Sequence, residues 1–188
     1  IPFSGAGSGH ICGQCQTQPP HFESAQAHLL YEGSARELIH YFKYSHKTHV
    51  RRPLALLALE GLTEFINGRR PDFIIPVPLH RSRLQTRAFN QAVLLGDVFS
   101  SRLSIPMLPD GLIRTRPTEP QIDLSAEDRR HNVKGAFAVK KPERIKGKRI
   151  LLLDDVMTTG STVNECAQVL KKAGAASVVV ATIARTAR

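Results

Sequence analysis

The chain has 188 residues, a formal charge of +10 and a pI near 10. That length suits one well-buried domain with a small appendage, and no apolar run of 18 or more residues marks a membrane span. The positive balance predicts an anionic partner, and a polyphosphate or a nucleic acid would satisfy it equally.

Residues 1–9 are rich in Gly and Ser and predict a flexible segment. Cys12 and Cys15 follow as Cys-x-x-Cys. Such a pair reads as half of a zinc knuckle or as a turn with free thiols, since no second half accompanies it. With Cys166 the cysteine count is odd, which argues against a disulfide-built secreted protein and favours a cytoplasmic one. Residues 1–24 are expected to stand apart from a main domain over 25–188.

In chain order, 25–32 predicts an edge strand and 33–44 a helix with Leu38, Ile39 and Phe42 as its apolar stripe. Lys43 falls in the last turn, where a cation suits the helix dipole. A second helix is expected over 50–67, stopped by Asn67-Gly68, and then a short buried strand over 72–76.

Prolines 76 and 78 stiffen the turn beyond it. The stretch that follows carries His80, Arg81, Arg83 and Arg87. At helical spacing Arg83 and Arg87 would share a face. Bidentate guanidinium groups suit phosphate oxygens, so a phosphate-neutralising flap is expected here in preference to a solvated basic turn.

Helices are predicted over 89–103 and 124–133, the second capped by Ser125. Arg129 and Arg130 on it fit either a ligand crevice or a solvated face. Strands are predicted over 112–115 and 136–139, and 140–148 forms a basic connection.

Residues 150–162, ILLLDDVMTTGST, carry the strongest signal. The apolar run lacks the alternation of a half-solvated strand and predicts burial on both faces. Asp154 and Asp155 then stand together at the carboxyl end, where open α/β sheets bind ligands. Two like charges about 4 Å apart repel by roughly 4 kcal/mol at an effective dielectric near 20, so a metal, a cation or hydroxyl donors must offset them. Thr158, Thr159, Gly160, Ser161 and Thr162 supply hydroxyls and a permissive Gly. Ser161 or Thr162 is the expected N-cap of a helix with Val163, Cys166, Ala167, Val169 and Leu170 inward. Its free amides make an anion site. Carboxylates for ribose hydroxyls beside a phosphate cradle fit ribose 5-phosphate. Gly174 would stop that helix, and a buried strand over 178–183 completes a βαβ unit.

This segment closely resembles the phosphoribosyl-pyrophosphate (PRPP) signature of type I phosphoribosyltransferases, and it lacks the Gly-Lys-Ser/Thr of a Walker A loop. Segments 38–44, 75–79, 87–91, 118–121 with Leu124, and 130–137 resemble the ComF family of competence proteins, also called GntX-like. The resemblance implies a type I phosphoribosyltransferase-like α/β fold, a parallel sheet flanked by helices. It also implies an enzyme that transfers phosphoribosyl from PRPP with Mg²⁺ and releases pyrophosphate. Asp154 and Asp155 would hold the ribose, and Val156, Met157 and Thr158–Thr162 the 5′-phosphate. Val77, Pro78, Leu79, Arg81, Arg83 and Arg87 would take pyrophosphate. Family members carry an N-terminal zinc ribbon, to which only Cys12 and Cys15 correspond here. Further partners implied are single-stranded DNA and the competence machinery, with a non-catalytic DNA-uptake accessory or a PRPP- or nucleotide-sensing regulator as alternatives to the enzyme. Ala88 stands where the family commonly has Gly, a change expected to stiffen the flap.

Overall fold

The computed structural model describes residues 19–44, 48–118 and 126–187. Four parallel strands form the main sheet in the order β1-β6-β5-β2. They are β1 (Ser24–Leu30), β2 (Phe73–Pro76), β5 (Arg149–Met157) and β6 (Ser177–Arg185). A separate antiparallel pair joins β3 (Leu112–Arg114) to β4 (Phe137–Val139). The helices are α1 (Gly33–Tyr44), α2 (Arg51–Arg69), α3 (Arg81–Arg87), α4 (Gln91–Leu103), α5 (Ala126–Val133) and α6 (Ser161–Lys172). Among the described residues no helix is long and apolar enough to cross a membrane.

The apolar run in β5 is buried on both sides because its residues divide between two cores. Leu151 and Leu153 pack with Ile39 and Phe42 of α1, Leu54 and Leu62 of α2, and Leu95 and Phe99 of α4. Ile150 and Leu152 pack on the opposite face with Val163, Cys166 and Leu170 of α6 and with Phe137 of β4. Strand periodicity of two sorts them. Each fully buried Leu or Ile contributes about 1.5–3 kcal/mol, so this one strand anchors both layers.

Several expected boundaries shift. Helix α2 runs through Gly68 and ends at Arg70, whose left-handed φ of 45° and amide bonds to the carbonyls of Ile66 and Asn67 close it. Helix α4 starts at Gln91 because the Asn90 side chain accepts the Ala92 amide at 2.9 Å. The β3–β4 pair was expected as two strands but not as a second sheet. Strand β5 itself continues to Met157, so Asp154 and Asp155 lie within the strand instead of beyond it. The Ser125 cap, most of 118–121 and the Cys12–Cys15 pair lie outside the described residues, as do the side chains of Arg129 and Arg130.

Candidate active site

The crevice arises because β5 outruns its neighbour. Pairing with β2 ends at Pro76 opposite Leu153, and the Val77 amide makes one more bond to the Leu153 carbonyl at 2.9 Å. On the other side, pairing with β6 continues to Met157 opposite Arg185. Pro78 has no amide to extend the ladder. Residues 154–157 therefore project past β2 with one edge open.

Alternation along β5 starts the two side chains on opposite faces, although their carboxyl groups still lie close enough to interact. Asp155 follows Leu151 and Leu153 toward α1 and α4 and is 3% exposed. Its Oδ2 lies 2.5 Å from Lys43 Nζ, and its Oδ1 accepts a long 3.5 Å bond from Gln91 Nε2. Gln91 Oε1 in turn accepts from the Arg87 guanidinium at 3.0 Å, and Arg87 lies over the Tyr44 ring at 4.9 Å. These contacts tie the last turn of α1 to α3, α4 and β5. Burial alone would raise the Asp155 pKa, but the Lys43 charge and hydrogen bond hold it below the ordinary carboxylate value. Lys43 likewise overcomes its burial, because Asp155 keeps its pKa above that of a free lysine.

Asp154 is the complementary case. It is half-buried on the α6 face, and its Oδ1 accepts the Asp155 amide at 2.9 Å. Burial, then the neighbouring Asp155 charge, pushes its pKa well above the usual carboxylate value. Arg114 of β3 belongs to the same neighbourhood. Its guanidinium stacks on Phe137 at 5.3 Å and bonds the Thr118 hydroxyl, while its Nε is buried without an acceptor. Burial and then the Arg83 charge lower its pKa, and Asp154 opposes them.

The loop beyond β5 turns at Gly160, which takes φ 78° and occupies the cap position of α6. This corrects the expected Ser161 or Thr162 cap. Only a residue tolerant of left-handed backbone fits there. The hydroxyls instead bond one another: Thr159 Oγ1 lies 2.8 Å from Ser161 Oγ and accepts the Ser161 amide at 3.4 Å. Val163, Cys166, Ala167 and Leu170 are buried inward as expected, and Val169 is partly so. Cys166 is a core residue whose thiol burial pushes far above its ordinary pKa.

The basic stretch forms α3, capped by His80 Nδ1, which accepts the Ser82 amide at 3.3 Å. Its arginines have different surroundings: Arg81 is exposed, Arg83 half-buried and Arg87 buried in the Gln91 contact. Val77 and Pro78 are buried beneath them, and Leu79 is half-buried. The Val77 carbonyl accepts Asn90 Nδ2 at 3.0 Å, which fixes this turn against α4. Lys43, Gln91 and Arg114 were not identified as site residues from sequence. Lys43 had the look of a dipole-complementing surface cation, and no local pattern tied Arg114 to a strand 40 residues away.

Residues 91–188 match the phosphoribosyl transferase domain family. The DNA utilization protein YhgH of Escherichia coli is 38% identical over 181 residues, covering 93% of this chain and 78% of that protein. Competence protein F of Haemophilus influenzae shows 38% identity over 179 residues with the same coverage. The chain belongs to the ComF family. Competence protein ComFC of Bacillus subtilis is a more distant member, 26% identical over 161 residues, 76% of this chain and 62% of that protein. The phosphoribosyl transferase domain match begins at Gln91, so it includes α4, β5 and the α6 entrance but not Lys43 or α3. Among the described residues no group of three or more His, Cys, Asp or Glu side chains could hold a metal.

Proposed function

We propose that the protein binds PRPP and transfers its phosphoribosyl group to an acceptor, releasing pyrophosphate. The observation that supports this most is the open edge of β5, where a carboxylate not claimed by Lys43 stands one turn from a Gly-capped helix entrance. Asp154 would accept hydrogen bonds from the ribose hydroxyls, with Asp155 behind it. Val156, Met157, Thr158, Thr159, Gly160, Ser161 and Thr162 would hold the 5′-phosphate through amides and hydroxyls.

Pyrophosphate would lie toward Val77–Leu79, Arg81 and Arg83, and the unpaired Nε of Arg114 gives it a further buried donor. Arg87 serves from behind, through Gln91. Charge leaving C1 would collect on pyrophosphate, so prearranged guanidinium groups act where they lower the barrier. The hard oxygen donors at the crevice suit Mg²⁺, which would screen the pyrophosphate charge when it arrives with substrate.

Calorimetric titration with PRPP tests the assignment. Asp154→Asn with Asp155→Asn is expected to abolish binding while the protein still unfolds cooperatively, and unchanged affinity would refute it. Pyrophosphate release with a panel of bases then tests turnover. A second reading, a DNA-uptake accessory that keeps the scaffold without turnover, draws support from the relatives named DNA utilization protein and Competence protein F. Binding of PRPP without release of pyrophosphate in the presence of any base would favour it.

A further inference from the structure

The two edges of the main sheet differ. At β2 the segment 106–108 closes the edge: the Ile74 amide bonds the Pro106 carbonyl at 3.0 Å, and the Leu108 amide bonds the Ile74 carbonyl at 2.8 Å. At β1 nothing among the described residues does so. The amides of Glu23 and Tyr31 bond β6 carbonyls at 2.9 and 2.8 Å, so the backbone groups of odd-numbered residues face β6. The amides and carbonyls of Ser24, Gln26 and His28 therefore point outward. Exposed edges are ordinarily blunted by lysine, proline, inward charges or bulges. The β1 sequence SAQAHLL has no proline, lysine or acidic residue, and its register with β6 keeps one offset throughout.

Helix α2 lies along this edge and comes close to it at Gly61. Gln26 Nε2 donates to the Gly61 carbonyl at 2.9 Å, and a Cβ on Gly61 would collide with the His28 ring. Gly61 is thus level with Ala27, between the two. One turn away on either side, at equal spacing, α2 presents Leu57, 37% exposed, and Phe65, half-buried. A cleft of about 340 Å³ opens beside Phe65, between Gln26 and Arg69. We infer that this face docks a second copy of the chain, with the two β1 strands antiparallel about a twofold axis at Ala27. That axis sets Gln26 opposite His28 of the second copy, and both have outward backbone groups, as a hydrogen-bonded antiparallel pair requires. The helices select Ala27 over its neighbours as the axis. It brings Gly61 to Gly61 and seats Leu57 of each copy against Phe65 and its cleft on the other, the self-complementarity that a twofold contact needs. With α2 over β1 and β6, the two helix axes stand about 10 Å apart, a normal packing distance. A crossing angle of about −50° carries the arginines at the helix ends away from one another.

Sedimentation equilibrium on the whole chain tests this. At micromolar concentrations the wild type should approach twice its 20.8 kDa. Leu57→Asp sets a carboxylate, too short to reach Arg69, against Phe65 twice per dimer. It should weaken association by about 100-fold or more, with helix content unchanged by circular dichroism. Facing residues at the axis bring their Cα atoms to about 4.5 Å, within disulfide reach. Under mild oxidation Ala27→Cys should therefore give a dimer linked through position 27, and Ala25→Cys, set opposite Leu29, should not be linked through position 25. A monomeric wild type, wild-type association in Leu57→Asp, or no cross-link at position 27 would each overturn the proposal. So would a monomer whose Gln26 and His28 amides resist hydrogen exchange, which would give this edge to residues 1–18.

Discussion

The two poles of one sheet handle charge in opposite ways. At the carboxyl pole, charges are buried and partnered: Asp155 is 3% exposed against Lys43, and Arg87 reaches it through Gln91. At the amino pole, Lys146, Lys148 and Lys172 are exposed and mostly answer to solvent. Rigidity is concentrated at the carboxyl pole. A buried ion pair adds little net stability over a well-packed apolar pair, yet losing one member is severe, so such a pair fixes geometry. An exposed cation fixes little and gives long-range attraction instead.

The largest expected effect comes from breaking the buried pole. Lys43→Met leaves Asp155 buried without a counter-charge and should cost about 3 kcal/mol of unfolding free energy, near the lower end for broken buried pairs because Lys43 is 17% exposed. Adding Asp155→Leu to Lys43→Met should restore most of that loss in urea unfolding. If the double variant is no more stable than the single, the pair does not act as a unit.

Next is the phosphate cradle. Thr159→Val removes a hydroxyl bonded to Ser161 and should weaken ribose 5-phosphate by about 1–2 kcal/mol, with a smaller effect on pyrophosphate. Calorimetry with each ligand compares the two, and equal losses would contradict the assigned division.

Ala88 offers a smaller gain. It ends α3 at φ 65° and is exposed, so a methyl group is held in left-handed backbone with no packing in return. Ala88→Gly should stabilise by about 1 kcal/mol in denaturant unfolding.

The smallest effect sharpens the amino pole. The Arg149 hydrogen bonds hold the Asp72 carboxyl down to about 2 from an ordinary 3.8. A depressed carboxylate pKa means its contribution is present above the unfolded value and fades as pH falls toward 2. Arg149 is exposed and Asp72 only half-buried, so Asp72→Asn should flatten acid unfolding between pH 4 and 2 only slightly. Melting curves across that window check it.

Some of this was legible without coordinates. The uninterrupted ILLL run required burial on both faces, and β5 indeed feeds two cores. Helix α1, the short β2, the inward face of α6 and the left-handed Gly174 also followed from periodicity and stop signals. Turn geometry was less legible: the α6 cap passed to Gly160 because its backbone demand outweighed the preference of a hydroxyl side chain for that position.

That two carboxylates crowd the end of a buried strand and need a counter-charge is already written in residues 150–155, since adjacency and repulsion are local facts. What supplies that counter-charge depends on how the chain folds. Lys43 lies 112 positions from Asp155, and α1 must pack across the sheet before their side chains meet. The fold likewise decided that the carboxylates differ, because Asp155 is buried against Lys43 whereas Asp154 stays half-buried without an ion pair of its own among the described residues. A one-dimensional pattern identifies groups that must be satisfied, whereas burial and long-range contact choose their partners.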